Sequence, residues 1–272
     1  MEIIPVCSPL LKMGDDLGAV FAKEALQPGD ILVISSKALA TIEGVEIQLR
    51  DGTPTKQVEA WVSQTGLPAS FIEAVMAETK RLNGTIVGTC PGALLTELRP
   101  TGFPHGTLLV PNAGLDRSNV REGYAIGWPH DPVKSLRTLR SGIQEQMSEK
   151  RKEKRKKNTN SLFSFHFSLV LSDSCCVPRR LGVTAFALAC SGIDPVRSLI
   201  GTKDAFGHTM RITQEAVADQ LATAANMVMG NADQMTPIAI VRDHGYALSN
   251  YEGWVPGIEP GEDLFRDIFR QQ

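Results

Sequence analysis

The 272-residue chain contains no apolar run near the ~18 residues that a membrane-spanning helix needs. Its opening, MEIIPVCSPLLKMGDD, lacks a basic stretch followed by a long apolar one, so no secretory signal is expected. Charge of one sign is also missing. The 28 Lys and Arg stand against 30 Asp and Glu, a formal net charge of −2, so no global field draws nucleic acid or an anionic membrane. The five cysteines, Cys7, Cys90, Cys175, Cys176 and Cys190, are odd in number and match no zinc-binding spacing. They are expected to be reduced thiols of a cytoplasmic protein. The vicinal pair Cys175–Cys176 is the one place that offers redox chemistry or a soft metal. Neither GxxxxGK[ST] nor GxGxxG occurs, which excludes the two common glycine-rich phosphate signatures. No internal repeat is found.

What is present is ordinary for a globular protein: 42% hydrophobic and 21% charged residues, and enough length for one large or two modest domains. Short apolar runs at Ile31 to Ile34, Thr85 to Val87, Thr107 to Val110, Phe167 to Leu171 and Ile238 to Val241 read as buried strands. Helical spacing lies between them. Asp16 to Ala25 has Leu17, Val20, Phe21 and Ala25 on one face. Pro68 to Leu82 opens on a proline and carries Phe71, Val75 and Met76. Thr213 to Met229 has Thr213 as N-cap, a stripe of Val217, Leu221, Ala224 and Val228, and Gly230 as its stop. Strands and helices mix without strict alternation, which favours an α+β fold. The basic run SEKRKEKRKKNTN, 148–160, reads as a solvated loop or helix end and a possible boundary between two lobes. Nucleic-acid binding through it is the minor alternative.

Three stretches can carry chemistry. LVLSDSCCVPRRLG delivers Asp173 at the end of an apolar strand, with Ser174 beside it and Arg179 and Arg180 beyond. A carboxylate and a hydroxyl are oxygen ligands for a hard cation, and a guanidinium suits phosphate or carboxylate. An Asx-type turn with surface arginines is the plain alternative. PNAGLDRSN, 111–119, has the same form, with Asp116 emerging from a glycine turn. Two such aspartates can share one divalent ion if the fold brings them together. GDILVISSKALATIEG places Ser36 and Lys37 after a strand, where the lysine can neutralise phosphate or merely be exposed. His105, beside Gly106, is a candidate acid, base or ligand, though a lone histidine usually serves as none.

Taken together and in order, the stretches GDDL (14–17), GDILVISSK with EG (43–44), HG (105–106), NAGLDRSN (112–119), SD (172–173), GTKDAFG (201–207), VADQLATAANMVMG (217–230) and PIAIVRD (237–243) resemble the coenzyme F420-0:L-glutamate ligase (gamma-glutamyl ligase) family. The similarity covers nearly the whole chain. It implies a single ligase-like domain of two intertwined lobes, 1–272, with 148–160 as a basic inserted loop. The near-neutral charge and the lack of a spanning run lead us to expect no nucleic-acid or membrane partner, and the similarity implies a homodimer. It also implies a GTP- and Mg2+- or Mn2+-dependent ligase that attaches L-glutamate to a cofactor-precursor carboxylate through an acyl phosphate.

On that resemblance Asp116 and Asp173 bind metal and, with Arg180, serve catalysis. Ser174 and Asn231 complete the metal set. The nucleotide is held by Ser8, Pro9, Leu10, Leu11, Ser36, Lys37, Thr41, Asn119, Met229, Gly230, Asn231, Ala232 and Asp233. Three departures stand out. DSCCVPRR replaces an aspartate-threonine followed by a Gly-Arg turn, Thr41 replaces a common lysine, and Asn231 stands where a metal-binding glutamate can occur. They leave two alternatives open: the same chemistry on a folate-type acceptor, and a catalytically silent nucleotide-binding homologue.

Overall fold

The computed structural model describes residues 1–21, 26–155 and 166–269. The chain begins with β1 (Glu2–Val6), α1 (Leu17–Phe21), β2 (Ile31–Ser35), α2 (Ser36–Glu43) and β3 (Glu46–Gln48). It continues through α3 (Lys56–Thr65), α4 (Ala69–Arg81), β4 (Thr85–Cys90), β5 (Ala93–Leu98) and β6 (Leu108–Pro111). A 3-10 turn at Asn112–Gly114 precedes β7 (Tyr124–Ile126), α5 (Pro132–Arg155), β8 (Ser168–Cys175) and β9 (Thr184–Ser191). Last come β10 (Arg197–Ser198), β11 (Gln214–Glu215), α6 (Val217–Met229), β12 (Ile238–Arg242), β13 (Glu252–Trp254) and α7 (Arg266–Phe269). This is a mixed α+β fold.

The main sheet has six strands in the order β1-β12-β2-β8-β9-β13. Only β2 and β8 run parallel; the other neighbours are antiparallel. Both faces are covered, which is why its strands read as continuous apolar runs. Ile31, Val33, Val170, Ala239 and Val241 point to one side, under the small-residue face of α6. Leu32, Ile34, Leu169, Leu171, Ile238 and Ile240 point to the other, into the larger core shared with α3, α4 and α5. A second, antiparallel sheet, β4-β5-β6, extends that larger core.

The five expected strand runs all form, but β4 and β6 are only partly buried. The expected helices at Pro68 to Leu82 and Thr213 to Met229 form with shifted boundaries. Of the expected helix at Asp16 to Ala25, Leu17–Phe21 is helical, Asp16 lies before it, and 22–25 lie outside the described residues. Three local expectations are corrected. Thr213 does not cap α6. Gln214–Glu215 first pair with β10 as β11, so the helix starts after Ala216, with no side-chain cap. The buried face of α6 is Val217, Ala218, Leu221, Ala222, Ala225 and Met229, and Ala224 and Val228 lie at its margin. Asp173 does not end its strand, because pairing with β9 carries β8 on to Cys175. The basic run starts on a helix, since α5 continues to Arg155; residues 156–160 lie outside the described residues. All five cysteines are free thiols. Among the described residues no helix is long and apolar enough to cross a membrane.

Candidate functional site

The parallel pair β2–β8 sets the site. Ser35 lies opposite Ser172 at the end of β2. There β2 turns directly into α2, whose first residue, Ser36, hydrogen-bonds Asp173 on β8, and Lys37 sits in that helix's first turn. Ligands commonly bind at the carboxyl ends of such strands, where a helix N-terminus also offers free N–H groups.

A second segment reaches the same place from the other sheet. After β6, Asn112, Ala113 and Gly114 take left-handed φ values of 53, 54 and 74° in succession. This is costly for a buried alanine, and two contacts hold the turn. The Leu94 N–H donates to Asn112 Oδ1 at 2.9 Å, and the Ala113 N–H donates to the Thr96 hydroxyl at 3.1 Å. The chain then straightens, and Asp116 exchanges both backbone hydrogen bonds with Ile126, at 2.8 and 2.9 Å.

Asp116 and Asp173 open into one cavity of about 420 Å3. The Lys37 ammonium donates to Asp116 Oδ2 and, at 2.8 Å, to the Ser118 hydroxyl, which in turn donates to Asp116 at 2.6 Å. Burial pushes the Asp116 carboxyl up, but Lys37 and Ser118 outweigh it and hold the group below the usual carboxylate value. Asp173 is placed differently. It keeps a face open to the cavity, while protein packs around the rest of its carboxyl. Trp128 Nε1–H donates to Oδ2, and the Ser174 backbone N–H donates to Oδ1 at 2.8 Å. Burial pushes Asp173 up to about 6, against the pull of these donors, the Lys37 charge and the Ser36 hydroxyl. One ammonium thus acts on both carboxylates.

Most residues singled out in the sequence line this cavity. They are Ser8, Pro9, Leu10, Leu11, Lys37, Thr41, Asp116, Asn119, Asp173, Ser174, Met229, Gly230, Asn231, Ala232 and Asp233. Backbone bonding draws the loops together: the Ser8 N–H donates to Met235 O, and Asn119 Nδ2 donates to Ala232 O, both at 2.9 Å. Three singled-out residues lie elsewhere. Ser36 is buried beneath the cavity, against Asp173. Arg180 is exposed in the β8–β9 turn and is not part of the lining, as Val177, Pro178 and Leu181 around it are not. His105 faces Glu259 at 3.7 Å, away from the cavity. Sequence reasoning missed Ser118, Trp128, Val183, Ala185 and Asn226. Ser118 lay inside the flagged PNAGLDRSN stretch; Trp128, 45 residues before Asp173, had no local signal.

The donor set fits a hard divalent cation. Asp116, Asp173, Ser174 and Asn231 all present oxygen to one cavity. Two carboxylates face a single ammonium, so negative charge is in excess. Among the described residues no group of three or more His, Cys, Asp or Glu able to hold a metal occurs, so an ion here would have few protein ligands. An ion with few protein ligands that completes its shell with water and phosphate oxygens suits this arrangement. Cys175 is a poorer ligand, because burial pushes its thiol up to about 11.

Comparison with known proteins gives a consistent picture. The family model F420-0:Gamma-glutamyl ligase matches residues 5–243. The chain is 31% identical over 261 residues to the coenzyme F420:L-glutamate ligase of Methanopyrus kandleri, covering 96% of this chain and 93% of that protein. It is 33% identical over 239 residues to the protein of that name from Methanosarcina acetivorans, covering 88% and 84%. With the protein of that name from Archaeoglobus fulgidus, identity is 31% over 274 residues, covering 100% and 94%.

Proposed function

Since the chain belongs to the F420-0:gamma-glutamyl ligase family, we propose that its cavity binds GTP and a divalent cation and joins L-glutamate by an amide bond to the carboxylate of coenzyme F420-0. The observation that carries this reading is the shared cavity. It gathers Asp116, Asp173 and Lys37 at the carboxyl ends of the parallel pair β2–β8 and at the N-terminus of α2. Phosphoryl transfer asks the protein mainly for positioning and charge.

The acceptor carboxylate oxygen attacks the γ-phosphorus, and the bond to GDP breaks. The amine of glutamate then attacks the acyl carbon, and phosphate leaves with the bridging oxygen. The amine proton passes to a basic group or to water. Lys37 and the first N–H groups of α2 hold phosphate oxygens. Asp116, Asp173, Ser174 and Asn231 hold the cation, which when bound neutralises phosphate charge and polarises the phosphoryl group. Asn119, Thr41, the N-terminal loop 8–11 and the loop 229–233 enclose the nucleotide. Arg180, outside the lining, takes no part in this reading. The homodimer implied by the family is included in the proposal.

The test is direct. Purified protein is incubated with GTP or ATP, Mg2+ or Mn2+, glutamate and either F420-0 or a folate-type acceptor, and products are weighed by mass spectrometry. A glutamate-sized mass increase on F420-0 that requires GTP and metal is expected. Product only with the pterin overturns the acceptor. Nucleotide binding with no product from any acceptor overturns catalysis.

A further inference from the structure

Trp128 lies outside the set of carboxylates, hydroxyls and cations that the proposed reaction uses, yet it is built into that site. It is 2% exposed, an unusual degree of burial for so large a side chain. Its indole N–H has one partner, Asp173 Oδ2. Two neighbours fix the ring. A Cβ on Gly114 would stand 2.5 Å from the indole Cε2, so only glycine allows the ring its place, and Gly114 belongs to the strained turn that leads to Asp116. Elsewhere the indole meets Trp254 edge-on at 6.4 Å between centroids, and Trp254 meets Phe103 in the same way at 5.8 Å.

The geometry of residues 126–128 adds a second link. Ile126 bonds the backbone of Asp116 in both directions, at 2.8 and 2.9 Å. Two residues on, Trp128 holds the carboxylate of Asp173. One short segment therefore holds both aspartates: it grips the main chain of Asp116 and, through a side chain, the carboxylate of Asp173. We propose that Trp128 is a positioning residue: it orients the Asp173 carboxylate toward the cavity, and the 126–128 segment sets the separation of the two carboxylates that receive the cation. This rests on the cation reading given above. Partners that orient a metal ligand through a hydrogen bond commonly contribute 10–100-fold to affinity or activity, so removing this one should cost about that much.

The test uses the full chain and two readouts besides turnover. The chain contains three tryptophans, so 15N-indole labelling gives three N–H resonances, and Trp128→Phe assigns one of them. In otherwise unsubstituted protein, Asp173→Asn should shift the Trp128 resonance and leave that of Trp61 in place. Mg2+ added with a nonhydrolysable GTP analogue should also shift it. Trp128→Phe keeps a smaller aromatic ring at the position and loses the donor. Its Mn2+ affinity with nucleotide, measured by electron paramagnetic resonance, should fall about 10–100-fold, and kcat should fall with the KM for glutamate unchanged. Unchanged Mn2+ affinity in Trp128→Phe overturns the inference. So does an Asp173→Asn spectrum in which none of the three indole resonances shifts, a result that needs no assignment from the Phe variant. Failure of the unsubstituted protein to bind Mn2+ is a separate result: it overturns the cation reading itself and takes the inference with it.

Discussion

Asp116 and Asp173 enter one cavity from different directions and in different electrostatic states. Lys37 and Ser118 hold Asp116 ionised, whereas burial raises Asp173. Removing either charge takes away an oxygen ligand without opening a void, because Asn has nearly the same shape. Asp116→Asn and Asp173→Asn are each expected to lower kcat by on the order of 10²–10³-fold or more. Circular dichroism and the melting temperature should change little. Near-normal turnover in both variants would end the shared-cation reading. Much of this site was legible in single residues. NAGLDRSN and SD drew attention because acidic residues stand beside turn-formers after apolar runs. What was not legible is what the fold alone brings together. Lys37 reaches Asp116 across 79 positions, and Trp128 reaches Asp173 across 45. Ser36 follows a strand as a ligand would, yet it opens α2 buried against Asp173 rather than in the cavity lining.

At the scale of elements, the pairing of β8 with β9 carries an irregularity next to the site. Leu171 pairs with Ala189, but Ser172 pairs with Ala187, so Leu188 is the extra residue of a bulge. The Ala187 N–H beside it donates to Asp219 Oδ1 of α6 at 2.8 Å. Burial raises the Asp219 carboxyl above its ordinary value, against the pull of that N–H. A carboxyl raised in the folded state favours the neutral form. Its contribution to stability is complete below the unfolded-state value near ~4 and is lost as pH rises through the folded value. Asp219→Asn keeps the acceptor and discards the charge, so it should raise the melting temperature at pH 8 and give a smaller gain at pH 4.5. Asp219→Ala leaves the Ala187 N–H without that partner and should cost ~1–3 kcal/mol by urea unfolding. A lower melting temperature for Asp219→Asn at pH 8 would count against the account. Element identity was legible where both sheet faces are covered, as in ILVI of β2 and IAIV of β12. It was hidden in β9, where TAFALACS is built largely of small residues that fit under α6 and carry no strong β signal. The start of α6 was misread because Gln214–Glu215 are drawn into a strand pair that no local propensity announces.

Over the whole molecule, one feature lacks a counterpart within the chain. Between β10 and β11 the backbone leaves the body, and residues 200–209 are all exposed. The excursion is nonetheless well built. Gly201 N–H donates to Met210 O, Met210 N–H to Thr202 O and Asp204 N–H to His208 O, each at 2.9 Å, and Asp204 Oδ1 accepts from the N–H groups of Phe206 and His208. Such a self-bonded hairpin has already lost the entropy that a flexible loop would lose on docking. Its apolar side chains face solvent: Phe206 is 87% and Ile212 86% exposed. Exposed apolar groups on rigid supports mark contact surfaces, and a second copy of this chain is the occupant consistent with the proposed homodimer. Fully burying one such side chain contributes about 1.5–3 kcal/mol, and a twofold axis counts each residue twice. Phe206→Ser with Ile212→Ser is therefore expected to weaken self-association by more than ~10²-fold. Light scattering coupled to size exclusion should show a dimer for the unsubstituted protein and a monomer for the double variant at the same micromolar concentration. The circular dichroism of the two should coincide, because neither side chain belongs to either core cluster. A double variant that remains dimeric places the interface on another face and leaves this arm free for a different partner.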